Sequence, residues 1–359
     1  MKKQYIIPIF VPHLGCPNEC TFCNQRKISG QFKDVTEEDV KNTIESYLDL
    51  LKDTKAYKEV AFFGGSFTGI DVEMQNRLLK TAYSYIQSKQ IDAIRISTRP
   101  DYIDKQTLKR LKKFKVKTIE LGVQSTNDYI LSKCKRGHTY DDVKHASRLI
   151  RWHGFKLGHQ MMVGLPESTR LDELNTARNL AKLKPKMVRI YPVLVIRGTE
   201  LENDYLNGEF EPLEINQAVE ICKELSQFFE KKRIKVIRIG LQNTDTILSP
   251  DEKNSEVVAG PYHDNFRQLV DSSYYYDLLN EKIKKINAKA KEIEITVNPQ
   301  IVDSIVGYKK QNLQKIKENY NLDIQLKLNP KYSKKKIDIK TVKIYKEFAD
   351  DDENVSKRK

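Results

Sequence analysis

The sequence predicts an α/β protein: a partial (β/α)6 barrel followed by a small, basic α+β module. Three observations carry this reading. Six short runs rich in β-branched and aromatic residues alternate with six stretches of helical period over the first two thirds of the chain. Crossovers between parallel strands of one sheet are right-handed, so six such units in succession place their helices outside a curved sheet. The pattern then changes near residue 280, where lysine becomes dense.

In chain order, the strands are read at 5–11, 59–63, 93–97, 118–123, 156–163 and 187–195. The helices between and after them are read at 36–51, 72–88, 105–114, 140–153, 171–183 and 214–231. A seventh run, 235–241, is expected to close a first domain spanning 1–241. Turn formers at Asn243, Asp245 and Ser249-Pro250-Asp251 mark 242–280 as a partly packed linker. Residues 281–348 read as a β-α-α-β-β unit, with strands at 292–297, 323–328 and 336–344 and helices at 299–306 and 311–320. The tail, 349–359, is charged and expected to be disordered.

A chain of 359 residues with 39% apolar side chains can bury a sizeable core. Its net charge of +14 is uneven, because 281–348 carries 17 Lys against 8 acidic residues. Such a balance favours polyanionic partners, nucleic acid before membrane surfaces, with a solvated lysine-rich surface as the plainer explanation. Five cysteines, three of them crowded, do not suit a secreted disulfide framework, so a reducing cytoplasm is expected. The start of the chain has the outline of a short signal, yet Pro8 and Pro12 interrupt its apolar run, which reads instead as a buried strand. Nothing later approaches the ~18 apolar residues of a membrane span.

The chemistry concentrates in Gly15-Cys16-Pro17-Asn18-Glu19-Cys20-Thr21-Phe22-Cys23, just after the first strand. Three soft thiolates at this spacing suit an iron-sulfur centre with one iron left open. A zinc site is the main alternative and would need a fourth ligand such as His13; buried free cysteines are the bland one.

With this spacing and an aromatic before the third cysteine, the chain resembles the radical S-adenosylmethionine (SAM) superfamily. Gly64-Gly65-Ser66-Phe67-Thr68, at the end of the second strand, looks like the superfamily's Gly-Gly-Glu segment. The likeness extends to the radical SAM core of the Elongator catalytic subunit and its bacterial relatives. It is carried by Ser97-Thr98-Arg99-Pro100-Asp101, Glu120-Leu121-Gly122-Val123-Gln124-Ser125, Arg136-Gly137-His138-Thr139, Met161-Met162-Val163-Gly164-Leu165-Pro166 and Ile190-Tyr191-Pro192-Val193-Leu194-Val195-Ile196-Arg197-Gly198-Thr199. Gln124 can offer an amide donor and acceptor to a ribose, and Arg136 a planar fork to a carboxylate; loop capping and a surface ion pair are the alternatives. The resemblance moves both toward SAM, with Phe22, Gly64, Gly65, Ser66, Thr68 and Gln160 as further cofactor contacts and Cys16, Cys20 and Cys23 as cluster ligands. His138 is read as a cap or packing residue, with a catalytic role as the lesser alternative. Ser97 and Gln160 depart from the family, standing where many relatives have Glu and His or Asp. No acetyl-CoA loop is visible, so acetyl-CoA use is not carried over.

The stretch around Gly307-Tyr308-Lys309-Lys310 resembles a KH domain, whose Gly-x-x-Gly loop between two helices clamps a single-stranded backbone. Gly307, Lys309 and Lys310 are its candidate RNA contacts, with Lys310 replacing the second glycine.

Together the resemblances imply a cytoplasmic enzyme with a 4Fe-4S cluster that reductively cleaves SAM to a 5′-deoxyadenosyl radical, acting on RNA, preferably tRNA. They also imply an electron donor such as ferredoxin or flavodoxin. A radical SAM enzyme acting on a small molecule such as a porphyrin, and an iron-sulfur RNA sensor without turnover, are the competing readings.

Overall fold

The computed structural model describes residues 4–11, 16, 20–30, 33–52, 54–241, 244, 246–286 and 290–344. The expectations placed on His13, Gly15, 17–19, Asn243, Asp245 and the tail 349–359 lie outside the described residues. The contacts divide the chain into two units, Met1–Arg267 and Gln268–Lys359.

In the first unit β1 (Gln4–Val11) leads to α1 (Gln25–Ser29) and α2 (Glu37–Leu50). There follow β2 (Tyr57–Gly64), α3 (Val72–Gln87), β3 (Ala93–Thr98), α4 (Lys105–Lys113) and β4 (Val116–Gln124). Next come α5 (Asp128–Lys133), α6 (Tyr140–Trp152), β5 (Lys156–Val163), α7 (Arg170–Lys182) and β6 (Met187–Pro192). The unit continues with β7 (Val195–Ile196), α8 (Glu200–Leu206), α9 (Ile215–Lys231), β8 (Lys235–Ile239) and β9 (Val257–Ala259).

Seven strands form one sheet in the order β1-β2-β3-β4-β5-β6-β8, and every neighbouring pair is parallel. This is the expected partial barrel, with the seventh strand at its far edge. The sequence places the helix starts by local chemistry: α2, α6 and α7 each begin with a Thr-x-x-Asp capping box, at Thr36/Asp39, Thr139/Asp142 and Thr169/Asp172. The strand read over 187–195 ends early because Pro192 has no N–H to continue the ladder; Val195–Ile196 then pairs antiparallel with β9 in a separate two-stranded sheet.

The inner side of the sheet is not apolar. Glu59, Arg95, Glu120 and Arg189, on four different strands, are all buried. Arg95 donates to Glu59 (Nη2 to Oε2, 2.7 Å) and to Glu120 (Nη1 to Oε1, 2.5 Å), while Arg189 Nε donates to Glu120 Oε2 at 2.5 Å. Thr118 and Gln4 complete the Glu59 carboxylate. Burial alone would raise the Glu120 carboxyl, but Arg189 and Arg95 override it and hold it below the ordinary range.

In the second unit the segment read as a linker contributes structure of its own: α10 (Phe266–Ile283) runs through it, and Leu279 and Ile283 enter the second core. Its three consecutive tyrosines, Tyr274 to Tyr276, blur the helical period in the sequence. Then come β10 (Ala290–Val297), α11 (Val302–Val306), α12 (Gln311–Tyr320), β11 (Asp323–Leu328) and β12 (Ile337–Ile344). β10 is central, parallel to β11 and antiparallel to β12, which realises the expected β-α-α-β-β order. Ile293, Ile295, Val297, Ile305 and Ile316 fill the core. Among the described residues no helix is long and apolar enough to cross a membrane.

One buried acid gives the first unit a pH dependence. Glu173 on α7 accepts from the Gly164 N–H at 2.6 Å, and burial pushes its carboxyl up from 4.5 to about 7. The folded chain therefore holds a proton that the unfolded chain releases, so this group's contribution is complete below pH 4.5 and lost as pH rises through about 7. Glu173→Gln keeps an oxygen acceptor for Gly164. It should flatten the decline in melting temperature between about pH 5 and pH 8 and melt higher at the upper end. Thermal melts of both proteins across that interval check it; parallel curves contradict it.

Candidate cofactor cavity

The C-terminal ends of the parallel strands converge on a cavity of about 220 Å³. Cys16, Cys20 and Cys23 line it together with Phe22, Gly64, Gly65, Gln124, Arg136 and Gln160, so most of the residues singled out from the sequence meet in one place. Ser66 and Thr68 do not line it. Their hydroxyls are engaged behind the wall with Thr98 Oγ1, at 2.9 and 2.5 Å, where they brace the turn rather than face a ligand.

Glycine at position 64 has a direct cause. Its φ is +107°, and a Cβ there would sit 2.8 Å from the Val11 carbonyl oxygen, which accepts from Gly65 N at 2.9 Å. The end of β2 thus lies against the end of β1, where the cysteine loop departs.

That loop is held from three sides. Cys23 N donates to Cys20 O, Thr21 N to Cys134 O, and Leu201 N to Thr21 O. Cys20 and Phe22 pack with Ile130, Leu165, Val195 and Leu201. α1, capped by Asn24, is fastened by Lys27 Nζ to Glu256 Oε2 at 2.8 Å and by hydroxyl bonds from Thr244 and Thr246 to its carbonyls. Cys134, isolated in sequence, packs against this loop as a buried thiol pushed up to about 12. Cys222 is buried in α9.

Arg136 links the loop to the sheet. Its Nη2 donates to Gly122 O at 2.7 Å and its Nη1 to Cys20 Sγ at 3.4 Å. A Cβ on residue 122 would lie 2.8 Å from that Nη2, so the guanidinium can hold this position only beside a glycine, a role that the sequence reading did not assign. Gln124 closes β4 in the left-handed region, φ +68°, beside an irregularity of the β4/β5 register. Gln160 Nε2 donates to Ser97 Oγ (3.1 Å) and Glu120 Oε2 (3.2 Å), which joins the cavity to the buried ion network. His138 is buried beside Val123 O, held neutral by burial, which pushes its pKa down to about 3; it does not line the cavity.

The arrangement fits a cluster with SAM. Burial pushes the Cys23 thiol up to about 12, with Cys20 adding to the effect, so thiolates here require a cationic partner. Among the described residues no three His, Cys, Asp or Glu side chains gather as one enclosed metal ion would need, whereas the thiolates of a cluster bind different irons. Beside the cysteines, Gln124 Oε1, Arg136 Nε and Arg99 Nη1 are buried and lack a partner within the protein. An acceptor and two cationic donors are what a ribose and an amino-acid carboxylate would use.

In the second unit Gly307 has φ +81°, and a Cβ there would come within 2.9 Å of Asn312 N. Lys309 and Lys310 follow with φ +49° and +65°. Lys310 thus adopts the left-handed conformation that glycine takes readily, and both lysines are exposed. Their backbone turn is closed by Lys310 N donating to Gly307 O at 3.1 Å.

The sequence matches the radical SAM superfamily over residues 10–180 and the radical SAM C-terminal domain over 185–275. A tRNA uridine(34) acetyltransferase of Methanocaldococcus jannaschii is 31% identical over 219 residues, covering 55% of this chain and 40% of the relative. An uncharacterized protein of the same organism is 30% identical over 235 residues, covering 61% and 70%. The chain therefore spans about two fifths of the acetyltransferase. Among solved structures, an N-terminally deleted Elp3 of Methanocaldococcus infernus shares the fold, with a TM-score of 0.60, 23% identity, and coverage of 81% of this chain and 66% of that one.

Anaerobically prepared Cys16→Ala, Cys20→Ala and Cys23→Ala proteins should each lose the cluster, while Cys134→Ala and Cys222→Ala keep it. Iron and sulfide per chain decide this, and full zinc occupancy without iron would refute it. Gly122→Ala should keep its iron and bind SAM about tenfold more weakly, because the methyl displaces Arg136; unchanged affinity in a SAM titration would show that Arg136 does not hold the ligand.

Proposed function

The chain belongs to the radical SAM superfamily, whose members are enzymes that use a 4Fe-4S cluster and SAM, and on that premise we propose that it modifies RNA, with tRNA as the preferred substrate. The observation that carries the enzymatic half is the meeting of three thiols with partnerless Gln124, Arg136 and Arg99 atoms around one cavity. Cys16, Cys20 and Cys23 would hold the cluster. Gln124 would accept from the ribose, and Arg136 and Arg99 would donate to the carboxylate. Gly64 and Gly65, on the cavity wall at the end of β2, would offer backbone to the methionine part. When bound, the two groups supply one-electron cleavage of SAM and abstraction of a hydrogen atom from substrate. The chain's own work is orientation and exclusion of water by Phe10, Phe22, Phe63 and Met162 on the cavity wall. A low-potential donor such as ferredoxin or flavodoxin would deliver the electron in the cytoplasm.

The RNA half rests on the second unit and on a relative named for uridine 34 of tRNA. Most of the excess positive charge lies in 281–348, and the Gly307–Lys310 turn presents two exposed lysines at the start of α12. A KH-like clamp on a single-stranded backbone is the function that suits it.

Lys309→Glu together with Lys310→Glu should weaken tRNA binding most at low salt and lower the log-log salt slope by about 1.4, at roughly 0.7 per phosphate. Cluster content and reductive cleavage of SAM should persist. Binding measured across a salt series is the check; an unchanged slope would leave the unit a scaffold and favour a small-molecule substrate. Lys310→Gly should instead raise the melting temperature, as release of the left-handed strain contributes about 1 kcal/mol.

A further inference from the structure

The cavity wall carries more arginines than the three cysteines and the SAM carboxylate call for. Four line it, Arg99, Arg136, Arg189 and Arg238, and no Asp or Glu does so, although Arg99 is paired with Asp101 and Arg189 with Glu120. Arg99 and Arg136 stand with the cysteines. The other two lie elsewhere on the sheet. Strand register places Gly122, Gln160, Arg189 and Arg238 in one row across β4, β5, β6 and β8, with Arg189 directly opposite Arg238. Paired positions of parallel strands share a face, so both guanidinium groups belong to the concave side. Three strand spacings separate Gly122 from Arg238, about 14 Å, more than one carboxylate could bridge.

Around Arg189 the surroundings are built. Glu120 holds its Nε, and its guanidinium lies 4.9 Å from the centre of the Phe63 ring, which fixes it across the cavity. Tyr191, two residues on along β6, shares its face, and lines the cavity too. Burial and then the neighbouring charge of Arg189 push Arg238 below its ordinary pKa, with Tyr191 opposing, as expected where cations crowd in a dry wall.

We propose that Arg189, Tyr191 and Arg238 form an oxyanion subsite for the substrate, separate from the carboxylate position at Arg136, and that the oxyanion is a phosphate flanking the nucleotide to be modified. The identity of the oxyanion rests on the RNA reading above; the subsite itself does not. The subsite grips the substrate at the β6/β8 flank and leaves the space beside Gln160, nearer the cluster end of the same row, and beside Met162, which pairs with Tyr191, for the part that reacts.

The test uses cluster-loaded protein with SAM present and measures the binding of uridine, uridine monophosphate, inorganic phosphate and succinate by calorimetry. Uridine monophosphate should bind at least about tenfold more tightly than uridine, the worth of one charge-assisted pair. In Arg238→Gln the preference should shrink below about threefold with SAM affinity unchanged, and Arg238→Lys, which keeps the charge but not the fork, should fall between. If Arg238→Gln proves poorly folded by iron content, Arg238→Lys alone must still reduce the preference. Binding of succinate but not of the phosphates, lost in Arg238→Gln, supports the subsite and overturns the RNA reading. Equal binding of uridine and its monophosphate, with no anion bound in an Arg238-dependent way, overturns the subsite whatever the tRNA measurements show.

Discussion

The first unit depends on the pairing of Glu120 with Arg95 and Arg189. A parallel sheet covered on both sides is normally filled with aliphatic residues, and here its concave side is charged instead. Two carboxylates and two guanidinium groups balance, and Gln160, Thr118 and Gln4 satisfy remaining oxygens. The bonds cross from β2 to β3, β4 and β6, so the network ties four of the seven strands together. Truncating one member would leave the others buried and uncompensated, at a cost on the order of 3–5 kcal/mol.

The same network reaches the cavity. Glu120 orients Arg189 and Gln160, and both of these line the site. One row further along β4, Gly122 supplies the carbonyl that holds Arg136, and Gln124 takes a strained backbone conformation. Strain and partnerless polar atoms therefore collect at the strand ends, while the carboxylates beneath are paired. This division suits a preorganised site: a rigid support whose carboxylates are satisfied, and a rim with hydrogen-bonding groups left for a ligand.

The second unit solves a different problem with few residues. Its apolar side is closed by α10 and by isoleucines from β10, α11 and α12, so lysines can occupy the remaining surface. At the α11/α12 turn, Asn312 leaves no room for a Cβ at 307, and its side chain donates to Ser272 O and Ser304 O. The turn is thereby fixed even though Lys310, not glycine, occupies its second left-handed position.

Much of this was legible along the chain. Alternating β and helical periods located all seven sheet strands within a few residues, because burial on both faces and Thr-x-x-Asp caps are local properties. The cysteine spacing and the Gly64-Gly65 pair marked the cavity, because close approach of backbone demands glycine wherever it occurs. What no linear pattern carried was which charged residues point inward. Glu59, Arg95, Glu120 and Arg189 are separated by 25 to 69 positions in their hydrogen-bonded pairs, and only strand register brings them together. Short helices such as α5 and α8 offer too few turns for a period, and α10 buries residues against partners far along the chain. The sequence alone therefore determined the strands, the cysteine loop and the basic module. Only the tertiary structure decided that Arg136 sits against Gly122, that Ser66 and Thr68 brace rather than line the cavity, and that Arg189 and Arg238 stand side by side, since each of these is a contact between separate elements of the chain.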